Sequence, residues 1–353
     1  MRGKRQAKRA RKLTLVIVAG ALLLFSLLCL LQLHSLTHTL QTQTAADRWR
    51  GESEQRFAQI SVFLPADAAA TQENVYQFRQ LLPQAFIDAS IEEQGGNPSV
   101  DAYSGSLPVT VFSERASAQV RALGVGGDYF LFHPLALRSG SYISDADFMK
   151  DRVVLDEELA WTLFGSTDIV GQYVYIGQTP CPVAGVVHRE DDFASSAAYP
   201  GGAGLYVSYD LLAAQDKVPI CCYETVLPDP VKSFAKNLVT EKFQPTGGVI
   251  VENSQRWSLG SLLTVIGDFG KRSMNTKGVV FPYWENAARL REDYAGLCLL
   301  LTVLSALLPL GLAVYTVVFW IRRWFFRLRK DVTKEIERAV EEEKEKNYVA
   351  GGI

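Results

Sequence analysis

Cysteine is scarce in this 353-residue chain, with five in all, and no Cys-x-x-Cys pair occurs. Zinc-ribbon and thioredoxin-like chemistry therefore lack their motif. There is no Gly-x-Ser-x-Gly and no His-Glu-x-x-His, the signatures of a nucleophile elbow and of a zinc protease. The one glycine-rich run, Pro200-Gly201-Gly202-Ala203-Gly204, lacks the Gly-Lys-Ser/Thr of a phosphate loop and reads as a turn. Glu190, Asp191 and Asp192 follow His188, but consecutive side chains do not converge on one point, so a solvated loop is expected. Asp156, Glu157 and Glu158 open a helix, where acids favour the positive end of the dipole. His34 and His38 are spaced i, i+4 on one helix face but have no third ligand nearby. The expectation is a chain with no catalytic, cofactor or metal site, and no enzyme.

Charge is absent from two long stretches. Leu13 to Leu33 is 21 residues without Asp, Glu, Lys or Arg, and Ala295 to Ile321 is 27. At ~1.5 Å per residue each reaches ~30 Å or more, the thickness of a bilayer's hydrocarbon core. Pro309 inside the second is tolerated in a membrane helix. Trp320, Trp324, Phe325 and Phe326 gather at its far end, as an interfacial aromatic belt does. A cleaved signal peptide is the alternative for residues 1–33, but its apolar run is usually ~7–15 residues, and no small-x-small site follows. An anchor is expected. Residues 1–12 carry +7 and residues 322–353 carry +2, which leaves −11 for the rest of a chain of net charge −2. Basic flanks stay on the cytoplasmic side. The expected layout is a two-pass protein of the cell membrane: a basic cytoplasmic N-terminus (1–12), a first span (13–33), an extracytoplasmic part (34–294), a second span (295–321) and a charged cytoplasmic tail (322–353). The acidic outer part argues against nucleic acid as a partner; the basic ends suit an anionic inner leaflet. Asp331 to Lys346 is charged nearly all round, a solvated helix or disordered end or a docking helix.

Between the spans the pattern is α+β. Residues 34–57, with Leu33, Leu36 and Leu40, read as a helical stalk. Ala58–Leu64 reads as a strand, Thr71–Leu82 as a helix ended by Pro83, and Ala85–Ile91 as a strand by its alternation. A second strand–helix–strand follows late, at Cys221–Leu227, Val231–Phe243 and Val249–Val251. Two such halves can pair as a split ferredoxin-like sheet with both helices on one face. Residues of about 104–215 read as an inserted, mainly β subdomain: strands at Pro108–Phe112, Ala118–Leu123, Val153–Leu155, Tyr173–Ile176, Val183–Val187 and Leu205–Ser208, and a helix at Asp156–Phe164 ended by Gly165. Ser258–Phe269 is a further helix, and Tyr283–Tyr294 runs into the second span as a returning stalk arm. Cys181, Cys221 and Cys222 face outward, where disulfides persist. Cys181 can pair with Cys221 or with Cys222, or all three can be free, buried thiols.

One ordered string stands out. Gly127-Asp128-Tyr129-Phe130 is followed by Leu137-Arg138-Ser139-Gly140-Ser141-Tyr142 with Asp145 and Asp147. Then come Val153-Val154-Leu155-Asp156-Glu157-Glu158-Leu159-Ala160, Leu163-Phe164-Gly165, Asp168-Ile169-Val170-Gly171-Gln172-Tyr173-Val174 and Val183-Ala184-Gly185-Val186-Val187. This resembles the extracytoplasmic core domain of MacB-like (FtsX/MacB-type) ABC-transporter permeases. Pro282-Tyr283-Trp284-Glu285-Asn286-Ala287-Ala288-Arg289 with Glu292-Asp293 resembles their approach to the second span. The resemblance implies a permease whose outer domain changes shape when a cytoplasmic ATPase moves a stalk. It also implies partners: an ABC ATPase, a second permease subunit, and a homo- or hetero-dimer, in a lipid bilayer. Members of that family carry three spans after the outer domain and this sequence carries one, which implies a half-size subunit, an accessory protein of an ABC system or a degenerate permease. Gly140, Gly165 and Gly171 are expected to mark chain reversals. The rival classes are an extracytoplasmic ligand-binding or sensing module and, less in keeping with the residues, an anchored enzyme with a polar pocket around Asp191 and His188.

Overall fold

The computed structural model describes residues 2–38, 40–91, 98–199, 204–245, 247–272, 275–276 and 278–350. They form two compact units: 35–296, and the two terminal segments 1–34 and 297–353.

Helix α1 (Arg2–His38) is followed by a 3-10 turn, Gln41–Gln43, and a short α2 (Ala45–Arg50). Here the stalk expectation fails. Leu36, Leu40, Ala45 and Ala46 are buried, and Gln59 accepts from the Ala45 amide (3.0 Å) and donates to the Thr42 carbonyl (2.7 Å). The spaced leucines mark a segment folded onto the domain.

Strand β1 (Phe57–Phe63) leads into α3 (Gln72–Asp88). This helix passes through Pro83, so the expected strand at Ala85–Ile91 does not form. Val75, Phe78, Leu82 and Phe86 continue one buried face across the proline. Burying Phe86 returns roughly 2–3 kcal/mol, close to the ~3 kcal/mol that an interior proline costs. The strand that follows α3 lies further on. It is β2 (Val100–Phe112), in a long hairpin with β3 (Ser117–Gly127).

Then come α4 (Tyr129–Phe132), β4 (Ala136–Gly140), β5 (Val153–Asp156), α5 (Glu157–Phe164), β6 (Tyr173–Ile176), β7 (Thr179–His188), α6 (Phe193–Ala198), β8 (Gly204–Ser208) and α7 (Tyr209–Ala213). The chain continues through β9 (Cys222–Pro228), α8 (Phe234–Lys242), β10 (Val249–Glu252), α9 (Leu259–Gly267), the small hairpin β11 (Asn275–Thr276) and β12 (Val279–Val280), and α10 (Tyr283–Ala350).

All strands but the small hairpin belong to one sheet, ordered β10-β1-β9-β2-β3-β8-β5-β7-β4, with β6 bridging β2 and β7. Its first four strands are antiparallel. They are linked as β1-α3-β2 and β9-α8-β10. Phe78 of α3 meets Tyr223 of β9 edge-on (5.8 Å), and Phe243, just after α8, stacks on Tyr223 (4.7 Å). The remaining strands curl. Through β2-β3-β8-β5-β7-β6 the pairing returns to β2, at Val111–Ile176 and Phe112–Tyr175. Such closure removes sheet edges. Val111, Val153, Leu155, Val174, Cys181 and Leu205 are buried in one cluster with Leu159, Ala160 and Leu163 of α5.

A second cluster packs on the other side, where Phe63, Val154, Val187, Tyr206 and Val226 of the sheet meet Ala45, Tyr129, Phe132, Phe281 and Trp284. The first turns of α10 are thus core: Trp284, Ala287, Ala288, Arg291 and Ala295 are buried. They are not the expected stalk arm. Cys181 lies in the first cluster and Cys222 in the second, and Cys181, Cys221 and Cys222 are all free thiols.

In the terminal unit, α1 and α10 each supply a stretch long and apolar enough to cross a membrane. Ser26 Oγ and Ser305 Oγ lie 2.6 Å apart between the two helices, the kind of hydroxyl pair that joins helices in lipid. Leu24, Leu27, Leu304 and Leu307 are exposed to the surroundings. Helix α10 then continues unbroken into the tail.

Candidate functional site

The motif glycines explain the shape of the barrel rim. Gly140 ends β4 after a bulge between Leu137 and Ser139. Its φ is +74°, and a Cβ there would fall well inside contact distance of Ala184 O and 2.8 Å from Gly185 Cα. Facing it, a Cβ on Gly185 would lie 2.5 Å from Ser141 O. Two backbones therefore cross where only glycines fit. The Ser141 amide donates to Ala184 O (3.0 Å) across that crossing. Gly165 is different: it caps α5 at φ +69° with open space around it.

Next to this rim, the polar residues after β7 are spent on structure. Asp156 is fully buried. One of its oxygens accepts from Leu159 N (2.8 Å), capping α5; the other accepts from Gly204 N (2.5 Å) and pairs with Arg189 (2.6 Å). Burial pushes its carboxyl up despite these partners. His188 Nδ1 lies 2.7 Å from Glu157, and that bond, with Arg138, holds Glu157 below the usual carboxylate range. The run 190–192 is not the solvated loop expected of it. Glu190 accepts from Tyr199 (2.6 Å) and Tyr283 (3.4 Å). Asp192 caps α6 through Ala194 N (3.0 Å) and pairs with Arg291 of α10 (2.8 Å). Partial burial pushes Asp192 up, but Arg291 and Ser195 pull it below its ordinary value. Only Asp191, its side chain 90% exposed, faces water as expected. The three side chains do diverge; two of them find separate partners.

Beside them opens a cleft of about 420 Å³ lined by Leu40, Thr42, Leu135, His188, Asp192 and Trp284 among others. It contains the His188 and Asp191 pair, 3.9 Å apart. Its charged walls already have partners, most of them outside the cleft, so what it offers a ligand is a mixed surface with apolar Leu40, Leu135 and Trp284.

Beneath the cleft runs a buried polar network that the sequence analysis missed. His133, fully buried, is hydrogen-bonded through Nε2 to Glu224 of β9 and packs against both Tyr129 and Trp284, each ring centroid 4.5 Å away. Ser61 donates to Glu224 (2.7 Å), and Asn253 donates to Ser61 (2.7 Å). Arg256 donates to Glu285 of α10 (2.5 Å) and lies 3.1 Å from Glu292. Burial pushes Glu285 up to about 7 against the pull of Arg256. A glutamate within the apolar strand around Tyr223 and Val226 was the one local sign of it; every partner is remote in the chain.

Of the other expected features, residues 200–203 of the glycine-rich run lie outside the described residues, and Gly204 opens β8. His34 and His38 lie on α1. Among the described residues no group of three His, Cys, Asp or Glu is placed to hold a metal.

Comparison with known proteins places this architecture. The family model of the MacB-like periplasmic core domain matches residues 34–226. The chain belongs to this family. Among curated relatives, the macrolide export ATP-binding/permease proteins MacB of Agrobacterium fabrum and Chromobacterium violaceum are 31% and 29% identical over 115 residues. That stretch is 31% of this chain and only 18% and 17% of those relatives. Among solved structures, the periplasmic region of MacB from Actinobacillus actinomycetemcomitans is 17% identical with a TM-score of 0.38, covering 60% of this chain and 95% of that one. The extracellular domain of the noncanonic ABC-type transporter YknZ from Gram-positive bacteria is 16% identical with a TM-score of 0.38, covering 55% and 98%. The MacB-like match ends in β9, so Arg256 and the start of α10 lie beyond it.

Proposed function

We propose that the chain is a non-catalytic membrane subunit of an ABC-type transport or mechanotransmission assembly. Its MacB-like core stands outside the cell membrane, and both termini are cytoplasmic. The observation that carries this reading is the MacB-like core set between two apolar helices whose outer flanks are basic. The strand order β10-β1-β9-β2, with one helix in each half, supports a split ferredoxin-like base, and the closed β region of about 104–215 is its inserted subdomain. Helix α10 begins in the core and runs unbroken to the tail, which suits a part that carries movement between compartments.

The partners in this reading are a cytoplasmic ABC ATPase and a second permease subunit, which is this chain again or a different one. It is tested by purifying the full chain in mild detergent and identifying what accompanies it. An ABC ATPase or second permease is expected; recovery of neither counts against the proposal. Deleting residues 331–353 is expected to weaken ATPase association, and unchanged association removes the tail from the docking surface. The cleft of about 420 Å³ favours a second reading, an extracytoplasmic binding or sensing module. A specific ligand with no ATPase partner would support that reading instead.

A further inference from the structure

Helix α9 is nine residues long and uncharged, with Leu259, Leu262, Leu263, Val265 and Ile266 among them. Only Leu262 is buried in it; Leu259 is 62% and Leu263 56% exposed, one turn apart on the same face. An apolar helix turned outward in this way needs a reason.

The segment is held firmly. Arg256, three residues before the helix, pairs with Glu285 (2.5 Å) and Glu292 (3.1 Å) of α10. Arg272, after it, pairs with the other oxygen of Glu292 and with Asp293 (2.9 Å). Two arginines thus clip both ends of one loop onto two turns of α10. Where the loop meets α10 is informative. A Cβ on Gly296 would lie 3.2 Å from Phe269 and 3.3 Å from Ile266. Gly296 is the second residue of the charge-free run that begins at Ala295. Tyr294, one residue before that run, is 47% exposed, as an aromatic at a lipid–water boundary is.

We infer that α9 lies in the lipid–water interface on the side of the core domain, with Leu259 and Leu263 turned to the acyl chains. The ion pairs hold the helix at the level where α10 loses its charges, and its leucines lose their contact with water there. Burying such an apolar face at the headgroup–acyl boundary is what draws a helix to a membrane surface. One face of a nine-residue helix is well short of the roughly 20–30 residues, about 800 Å² per partner, that a stable protein interface buries, which argues for lipid over a second protein surface. The inference rests on the reading that 295–321 spans the membrane.

The test uses the full chain, its native cysteines replaced, in vesicles of phosphatidylcholine with phosphatidylglycerol. An environment-sensitive fluorophore is attached in turn through Leu263→Cys, Leu308→Cys and Phe148→Cys. The expected result is that the label at 263 is quenched by a lipid nitroxide near the headgroup end of the acyl chain, and is several-fold less open to aqueous iodide than the label at 148. The label at 308 is expected to respond to a nitroxide deep in the chain. If 308 responds to lipid and 263 to iodide, the inference on α9 falls and the spanning reading stands. If both respond to iodide, both fall. A photo-crosslinking residue at 263 in the native-cysteine chain reports the same contact without cysteine replacement: lipid adducts are expected, and adducts to a second copy or to another protein would overturn the inference.

Discussion

Replacing Gly140 and Gly165 by alanine separates two costs that a motif merges. Both residues have positive φ, +74° and +69°, and an L-residue there costs ~1–2 kcal/mol. At Gly165 nothing lies within 4 Å of the new Cβ, so Gly165→Ala should cost about that and no more. At Gly140 the Cβ meets the backbone of β7 at Ala184 and Gly185. That backbone cannot swing aside as a side chain can, because Ala184 O accepts from Ser141 N at 3.0 Å and Gly185 is paired in the β4–β7 ladder. Overpacking of this kind adds ~1–3 kcal/mol, for a total of roughly 2–5 kcal/mol. In a domain of this size each kcal/mol moves Tm by ~2–4 °C. Thermal unfolding of the purified chain in detergent, followed by near-UV circular dichroism, should therefore show Gly140→Ala shifted about 1.5 to 4 times as far as Gly165→Ala. Equal shifts, or a larger one at Gly165, would refute the close-crossing account of the rim.

Asp156→Ala removes the α5 cap, the nearer of the two carboxylates beside Arg189 and the acceptor of the Gly204 amide. The loss should exceed the ~1 kcal/mol of a cap alone and approach the ~3 kcal/mol of a broken buried pair, with faster hydrogen exchange at the amides of Leu159 and Gly204; a cap-sized loss would mean that Arg189 contributes nothing. For Glu285, burial raises the carboxyl from 4.5 to about 7, so across that window the folded chain keeps a proton that the unfolded chain releases. Stability from this group therefore falls as pH rises from about 4.5 to 7 and changes no further above. Glu285→Gln should flatten that part of the Tm-against-pH curve, and curves that stay parallel would contradict the assignment.

What could be read from the residues was what neighbours in sequence decide. Asp156 and Gly165 bracket α5 as cap and stop because both devices act within a turn. The two charge-free runs announce their helices in the same way. The misreadings share the opposite cause. Pro83 signals a helix end, yet Phe86 is buried beside Phe78 and Tyr223 by a sheet that the local sequence does not contain. Leu36 and Leu40 have the spacing of an exposed stalk or of a buried seam, and the domain beneath them decides which. The first half of β2, with Ser104 and Gly105, does not look like a strand. A Cβ at Gly105 would lie 2.5 Å from Pro219 O, so a small residue stands where another backbone passes. The network of His133, Glu224, Asn253, Arg256 and Glu285 left almost no trace in the sequence because its members come from separate segments.

The central claim is that the MacB-like core and the tail lie on opposite sides of the membrane, with the core outside. Phe148, in the loop between β4 and β5, is 96% exposed, and Ile336, in the tail, is 58% exposed. With the native cysteines replaced, a membrane-impermeant maleimide applied to intact cells should label the Phe148→Cys chain at once. It should label the Ile336→Cys chain only after the membrane is opened. Labelling of the Ile336→Cys chain in intact cells, or protection of the Phe148→Cys chain until the membrane is opened, would contradict the account.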